Sequence, residues 1–422
     1  MSTFQHSVYL DPEKCKGCIN CIKHCPTGAI RVRGRKAHII KEFCIDCGEC
    51  VRVCPHHAKK TRYDGLETLQ NYAYTVALPA PSFYAQFNNI TDTNIILSAL
   101  LKLGFNDVLE VAAAAEIVSE LSRQYIANHP NGKPFISTAC PSVTRLIRVR
   151  FPALLDRLLP ILPPVELAAR VAARRAMQKT GLKREEIGIF FISPCPAKVT
   201  YVQDPLCIEK SEIDRVLAVK KVYTALLPLM NADDAEKDLK IAGKIGISWG
   251  YSGGEVAGLL TDSYIAVDGI DNAIGVLEDL EDNKIHGLDF IEIDACTGGC
   301  VGGVLQVENP YVAKTKLKLL RKYMPVAGAH LNGANAANAY WTKKIKFEPV
   351  FRLGSTLQES MEILQKVEAI AARLPGLDCG SCGAPTCKAL AEDVVRGDAN
   401  ERDCIHLLKN YLHQISSDLN AI

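Results

Sequence analysis

The sequence predicts an α/β multidomain protein that has a large central domain and a small cysteine-rich piece at each end. Between residues 75 and 350, short β-branched runs alternate with longer runs rich in Ala and Leu, which is typical of α/β units around parallel sheets. The 17 cysteines are clustered, since none occurs in 55–139 or 301–378. A chain of 422 residues is long enough for several domains, each with its own core.

These patterns predict three domains: residues 1–62, residues 63–365 in two lobes of about 63–225 and 226–365, and an α-rich domain at 366–422. In the central domain we predict strands at Tyr74–Leu78, Asp107–Val111, Phe135–Ser137, Ile187–Ile192, Lys244–Ile247 and Asp289–Ile293. The predicted helices are Ile95–Leu103, Ala113–Asn128, Val165–Thr180, Glu255–Asp262, Lys314–Tyr323 and, in the last domain, Lys388–Arg396.

Composition narrows the function classes. A net charge of +2 argues against a surface built for nucleic acid, and no stretch of about 18 apolar residues predicts a membrane span. The first residues contain no apolar core of signal-peptide length. We therefore expect a cytoplasmic protein without nucleic-acid or membrane partners. Because the cytosol keeps thiols reduced, its cysteines are better explained as metal ligands than as disulfides.

An internal repeat carries the strongest motif. The pattern C-x2-C-x2-C-x3-C-P begins at Cys15 and again at Cys44, with a period of 29 residues. It is the ligation pattern of bacterial ferredoxins, in which the fourth cysteine of each run ligates the other cluster. Two structural zinc sites are the alternative. The repeat predicts a two-cluster ferredoxin-like α+β module, with one [4Fe–4S] cluster on Cys15, Cys18, Cys21 and Cys54 and another on Cys44, Cys47, Cys50 and Cys25.

The C-terminal cysteines have the spacing C-x2-C-x4-C-x16-C. Zinc remains an alternative here, since C-x2-C is also a zinc spacing. A resemblance to a small [4Fe–4S] domain of anaerobic redox proteins favours iron–sulfur ligation by Cys379, Cys382, Cys387 and Cys404.

Four central cysteines follow predicted strands. Cys140 follows Phe135–Ser137, Cys195 follows Ile187–Ile192, and Cys296 and Cys300 follow Asp289–Ile293. Open α/β sheets place their ligand sites at such carboxyl ends, although four ordinary buried cysteines are the alternative. Cys207 belongs to none of these cysteine sets, and it is best explained as an ordinary buried thiol.

Three loops resemble the signatures of iron-only ([FeFe]) hydrogenases: Thr138–Pro141, Pro194–Lys198 and Ala295–Cys300. The resemblance implies an H-cluster, which is a [4Fe–4S] cubane joined to a diiron subsite that bears CO, cyanide and a bridging dithiolate. It implies that Cys140, Cys195, Cys296 and Cys300 hold the cubane, that Cys300 also bridges to the diiron subsite, and that Lys198 donates to a cyanide. A surface lysine is the alternative for Lys198.

The implied activity is H2 = 2 H+ + 2 e−, with electrons passing from the H-cluster to the other three [4Fe–4S] clusters. Departures from the family pattern imply slow, sensory behaviour. Ala139 stands where productive members carry a proton-relaying cysteine, Ser193 and Asp294 replace methionines, and Val143 replaces an aromatic residue. An ordinary catalytic hydrogenase with a rerouted proton path is one alternative. A non-enzymatic electron carrier or scaffold without the diiron subsite is the other.

Two carboxylates near the ligand loops are candidate proton relays. Glu292 lies on the strand before Cys296, and Glu255 follows the turn at 250–254, which we expect to end a strand. Burial would raise the pKa of either group toward neutrality. The alternative is that Glu292 caps a backbone or pairs with an arginine, while Glu255 is a first-turn glutamate. Besides H2 and protons, a redox or signalling protein of unknown identity is an expected partner, and homo-oligomerisation is left open.

Overall fold

The computed structural model describes residues 6–132, 134–231, 238–328, 338–349 and 356–420. The chain divides into two compact units. The larger consists of Met1–Ser7, Ile45–Gly48 and Arg62–Phe347, and the smaller of Val8–Cys44, Glu49–Thr61 and Glu348–Ile422. Each described helix is too short or too polar to cross a membrane.

The strands of the described residues fall into four sheets. They are β1 Val8–Leu10, β2 Ile30–Arg33, β3 Lys36–Ile39, β4 Lys59–Thr61, β5 Tyr74–Pro79, β6 Asp107–Val108, β7 Phe135–Ile136, β8 Ile187–Ser193, β9 Arg215–Ala218, β10 Tyr264–Asp268 and β11 Phe290–Asp294. The helices are α1 Asn20–Lys23, α2 Glu49–Arg52, α3 Asn94–Lys102, α4 Val111–Asn128, α5 Pro141–Arg150, α6 Pro164–Thr180, α7 Pro196–Gln203, α8 Val219–Leu226, α9 Lys244–Ser248, α10 Gly254–Leu259, α11 Ile270–Glu281, α12 Pro310–Leu320, α13 Leu357–Arg373, α14 Cys387–Arg396 and α15 Ile405–Asn420.

The first lobe of the larger unit is built on a parallel four-stranded sheet of order β6-β5-β8-β9. Every residue of β8 is buried because helices cover both faces. Ile189 and Phe191 share one core with α4 and α6, whereas Phe190 and Ile192 share the other with α3 and α8. This alternation follows from the two-residue period of a strand.

A second parallel sheet has three strands in the order β10-β11-β7, and it joins β10 and β11 of the second predicted lobe to β7 from the residue range of the first. Ile291 and Ile293 of β11 pack with Leu146 and Ile147 of α5 and with α11. The predicted α/β multidomain fold with parallel sheets is therefore confirmed. Strands β7, β8 and β11 end in loops that carry cysteines.

One predicted strand is wrong. Lys244–Ile247 lies in helix α9, and Glu255 therefore sits in α10 after a helix and a turn, not at a strand end. A short apolar run does not distinguish a strand from a buried helical turn by its periodicity. The backbone N–H groups of Lys244 and Ile245 donate to the carbonyls of Pro325 and Val326, so distant contacts stabilise this segment. Strands β9 and β10 are further elements that the sequence did not indicate.

The smaller unit joins two antiparallel ribbons, β1-β4 and β2-β3, to the C-terminal helices. Arg31 and Arg33 of β2 both reach the buried carboxylate of Asp393 on α14, at 2.6 and 2.9 Å. Next to this pair, the Val32 N–H donates to the Gly383 carbonyl at 2.8 Å. A Cβ at Gly383 would lie 2.0 Å from the Val32 oxygen, so only glycine allows this approach.

Candidate functional site

Three strand ends of the larger unit present the central cysteines. Cys140 follows β7 and immediately precedes α5, and Cys195 follows β8 and immediately precedes α7. Both helices begin with a proline, which lacks the N–H that would be unpaired at this position. Cys296 and Cys300 follow β11. The expected placement of all four cysteines beyond strand ends is thus present.

The third cysteine loop lies against the turn at 250–252. The Ser252 N–H donates to the Gly298 carbonyl at 3.0 Å, and the Val301 N–H donates to the Gly250 carbonyl at 2.9 Å. Gly299 has a φ of +85°, and a Cβ there would lie 2.4 Å from the Ser252 nitrogen. Glycine is therefore required where this loop turns into Cys300.

Lys198 interacts electrostatically with cysteines of all three loops. Its Nζ lies 3.7 Å from the Cys300 Sγ. Burial acts to lower the pKa of Lys198, but thiolates at Cys300, Cys195 and Cys140, with the Asp294 carboxylate, raise that pKa above its usual value. Conversely, burial raises the pKa of Cys300 to about 12 and that of Cys140 to about 11, with the Lys198 charge acting in the opposite direction. The ammonium and anionic sulfurs at this site therefore stabilise each other, and the ammonium contacts the cysteine set.

A cavity of about 50 Å³ adjoins Cys300 and Lys198. Ala139 and Asp294, two of the positions at which the sequence departs from the family pattern, contribute to its wall. The other two do not: Ser193 is fully buried and its hydroxyl donates to the Cys195 carbonyl at 3.0 Å, while Val143 is buried in a core. The remaining lining is mostly apolar, apart from Ser82 and two glutamates: Ala80, Pro81, Ser82, Val111, Ala115, Pro163, Pro164, Val165, Phe191, Pro194, Trp249, Glu255 and Glu292.

Both candidate relay carboxylates line this cavity. Glu255 accepts a 2.6 Å hydrogen bond from the Ser137 hydroxyl, and burial raises its pKa to about 8. Glu292 accepts from the Gly253 N–H at 2.7 Å and the Val256 N–H at 2.9 Å, so it does cap a backbone, as the alternative for this residue predicted. Burial, reinforced by Asp294 and Glu255, raises the pKa of Glu292 well above its usual range.

Ser137 is a site residue that the sequence analysis did not select. Its hydroxyl oxygen accepts from the Ala139 N–H at 3.2 Å while the hydroxyl donates to Glu255. Its position directly after β7, three residues before Cys140, is the signal by which the sequence could have identified it. Cys207 lies elsewhere, in a core with Tyr201, and burial raises its pKa to about 11.

The loop Ile45–Gly48, which contains Cys47, packs on the second cysteine loop. The Thr200 hydroxyl donates to the Asp46 carboxylate at 2.9 Å, and a Cβ at Gly48 would lie 3.1 Å from the Pro196 side chain. Both partners belong to α7, which begins directly after Cys195. This loop is therefore held beside the central cysteine set within the larger unit.

The smaller unit gathers two further cysteine sets. Cys15, Cys18, Cys21 and Cys54 line one cavity, with the Ala37 and Ala58 N–H groups directed at the Cys15 and Cys54 sulfurs at 3.5 and 3.3 Å. In the C-terminal piece, Cys382, Cys387 and Cys404 share a core, and Cys379 acts electrostatically on Cys382. The remaining ferredoxin-type set stays a prediction: Cys25, Cys44, Cys47 and Cys50.

Comparison with known proteins gives three family matches. The iron only hydrogenase large subunit, C-terminal domain, matches residues 73–227 and 252–304. A 4Fe-4S dicluster domain matches residues 7–55, and an Fe-S cluster domain matches residues 374–406.

Individual relatives cover much of the chain. The NADP-reducing hydrogenase subunit HndD of Solidesulfovibrio fructosivorans is 25% identical over 349 residues, which are 68% of this chain and 55% of HndD. The chain thus spans about half the length of this curated relative. A variant of [FeFe]-hydrogenase HydA1 from Chlamydomonas reinhardtii has a TM-score of 0.49 at 14% identity, covering 65% of this chain and 95% of that chain. The HydA(deltaEFG) form of [FeFe]-hydrogenase has a TM-score of 0.47 at 14% identity, covering 70% and 89%.

The first family match contains every one of the strand-end cysteines, together with Lys198, on both lobes of the larger unit. The dicluster and Fe-S matches coincide with the cysteine-rich pieces on either side of it. The chain accordingly belongs to the iron-only hydrogenase family.

Proposed function

We propose that this chain binds and interconverts H2, protons and electrons at an H-cluster held by Cys140, Cys195, Cys296 and Cys300, with slow turnover suited to sensing. The observation that supports it is the Lys198 ammonium, 3.7 Å from the Cys300 sulfur in the wall of the 50 Å³ cavity. When bound, a diiron subsite with CO, cyanide and a bridging dithiolate supplies the heterolytic cleavage of H2.

The cysteines and Lys198 at this cavity fit a diiron subsite with anionic ligands. An ammonium among apolar walls is stable only beside anionic partners, and thiolate ligands with cyanide provide them. Lys198 therefore serves to orient and neutralise a charged group in the cavity, which a surface lysine could not do. Cys300, the set member closest to this ammonium, is the proposed bridge to the diiron subsite.

The proposed proton path uses the carboxylates of the cavity wall. Ala139 carries no titratable group, but Glu255 lines the same cavity and is hydrogen-bonded to the Ser137 hydroxyl. A carboxyl whose pKa is about 8 is mostly protonated at neutral pH and can exchange its proton with a hydroxyl or water beside it. We propose Glu255 and Glu292 as catalytic proton holders that replace a direct thiol relay at reduced rate.

Electron transfer is the proposed task of the flanking domains. Four [4Fe–4S] clusters would be held by the four cysteine sets, with residues 1–62 and 366–422 carrying electrons between the domain at 63–365 and a partner protein in the cytoplasm. The packing of Ile45–Gly48 on α7 supports this assignment, since Asp46, the neighbour of Cys47, is hydrogen-bonded to Thr200 of the helix that begins directly after Cys195.

The decisive experiment is infrared spectroscopy of Cys300→Ser after maturation. We expect the wild-type protein to show CO and cyanide bands that respond to H2, and Cys300→Ser to lose them while the other clusters remain. Cys207→Ser is the matched control, because Cys207 is a buried thiol outside every set. Diiron bands in Cys300→Ser would contradict the bridge. Matured wild-type protein without such bands would instead support the non-enzymatic scaffold, and rapid turnover by it would support an ordinary catalytic hydrogenase.

A further inference from the structure

Lys59 is a buried lysine in the ferredoxin-like part of the smaller unit. It is the first residue of β4 and pairs with Leu10 of β1. The next residue, Lys60, faces outward and pairs with Asp11 at 2.7 Å, as strand alternation requires. Lys59 is only 3% exposed, and its Nζ has no hydrogen-bond partner in the part of the chain that the structure describes.

The side chain lines the cavity formed by Cys15, Cys18, Cys21 and Cys54. Cys21 and Cys54 line the same cavity as Lys59, and the Lys59 charge acts electrostatically on both of them. The ammonium is therefore placed to stabilise negative charge on these sulfurs.

A buried ammonium with no hydrogen-bond partner is unfavourable unless an anion lies beside it. A [4Fe–4S] cluster on four thiolates is such an anion, and one-electron reduction adds a further negative charge to it. The unpaired Nζ therefore fits a cluster in this cavity better than an empty set of neutral thiols. Net charge and hydrogen bonding around the sulfurs are also what set the potential of such clusters.

The internal repeat shows that the fold itself does not require a lysine here. Ile30 lies 29 residues earlier, at the equivalent position of the first copy, and it is 2% exposed. The local geometry is the same in both copies, since the Ala29 and Ala58 N–H groups reach the Cys25 and Cys54 sulfurs at 3.2 and 3.3 Å. Because an apolar side chain fills this position in the first copy, the charge of Lys59 in the second copy has a role other than packing.

We propose that Lys59 is a redox-tuning residue that raises the reduction potential of the cluster held by Cys15, Cys18, Cys21 and Cys54. Its fixed positive charge stabilises the reduced cluster more than the oxidised one. Electrons that reach the smaller unit then collect at this cluster. In that unit, the C-terminal cysteine loop lies near α1, since a Cβ at Gly380 would lie 3.3 Å from the Lys23 side chain.

The test is a redox titration followed by electron paramagnetic resonance, with dithionite as the electron donor. It uses the full-length chain with its [4Fe–4S] clusters but without the diiron subsite, so its outcome does not depend on hydrogen chemistry. In Lys59→Met we expect one cluster to show about a tenfold lower ratio of reduced to oxidised form at a fixed potential, equivalent to about 59 mV for a one-electron couple. Lys59→Arg keeps the charge and should retain the wild-type value.

Lys16→Met is the matched control, because Lys16 lines the same cavity but is exposed, so water screens its charge. Unchanged potentials in Lys59→Met, or equal shifts in Lys59→Met and Lys59→Arg, would overturn the proposal. If iron analysis shows that Lys59→Met loses a cluster that Lys59→Arg keeps, the charge is needed even for binding, which supports it. Loss from both variants would mean that the shape of the side chain matters and not its charge.

Discussion

Replacing Ala139 by cysteine tests whether proton transfer limits turnover. Ala139 is half-buried and lines the cavity that also contains Cys300 and Glu255. Its amide already reaches Glu255 through the Ser137 hydroxyl, over hydrogen bonds of 3.2 and 2.6 Å. A thiol at position 139 would place a titratable group in the wall of the cavity that Glu255 also lines.

The expected magnitude follows from the surroundings. A positioned acid or base contributes about 10²–10⁴-fold to a rate. A cysteine thiol has a pKa of about 8.5, so a thiol at position 139 would be mostly protonated at neutral pH and a weak acid. We therefore expect a gain at the lower end of this range. Ala139→Cys should turn over H2 about 10²-fold faster than the wild type in an assay with a viologen dye as the redox partner.

Ala139→Ser is the matched control, because it adds a polar atom of similar size that does not titrate near neutral pH. Infrared spectra of all three proteins should show the same CO and cyanide bands, so that rates are compared at equal diiron content. If Ala139→Cys is no faster than Ala139→Ser, proton transfer is not the limiting step. The argument that Ala139 makes this protein slow would then fail.

Two further predictions concern metal content and the carboxylates. If 16 of the 17 cysteines are ligands and Cys207 is free, iron analysis of reconstituted apoprotein should give about 16 irons per chain; about eight, with bound zinc, would contradict the central and C-terminal sets. Glu255→Gln and Glu292→Gln should each lower the residual H2 turnover at unchanged diiron content, because a glutamine cannot hold the transferred proton; unchanged rates in both would exclude this path.

The cysteine sites were predictable because their signals are local in sequence. Each central cysteine follows a β-branched run by a few residues, and β7, β8 and β11 form where those runs occur. Lys244–Ile247 has an equally apolar pattern but folds as α9, since its backbone bonds to Pro325 and Val326 about 80 residues away. The sequence contains no nearby signal for such contacts.

Ion pairs between residues far apart in the sequence could not be predicted from it either. The Asp393 carboxylate meets Arg31 and Arg33 from the opposite end of the chain, so neither motif points to the other. Lys59 was detectable in principle, because the repeat aligns it with Ile30, but only its burial and its unpaired Nζ give the difference a physical meaning.

The two carboxylates are not equivalent relays, although they line one cavity. Both Glu292 oxygens accept from backbone N–H groups, those of Gly253 and Val256, and an amide cannot pass a proton onward. Those bonds also fix the start of α10, the helix that carries Glu255. Glu255 instead contacts the Ser137 hydroxyl, which can both accept and donate a proton.

Glutamine therefore perturbs the two positions differently. In Glu292→Gln one side-chain oxygen becomes an NH2 group, which leaves one of the two buried N–H groups without an acceptor and costs about 1–3 kcal/mol of stability. In Glu255→Gln the remaining oxygen can still accept from Ser137. We expect Glu255→Gln to lower turnover more with little change in thermal stability, and Glu292→Gln to lower the unfolding temperature more. The reverse order would make Glu292 the more important proton holder and Glu255 the residue that contributes more to stability.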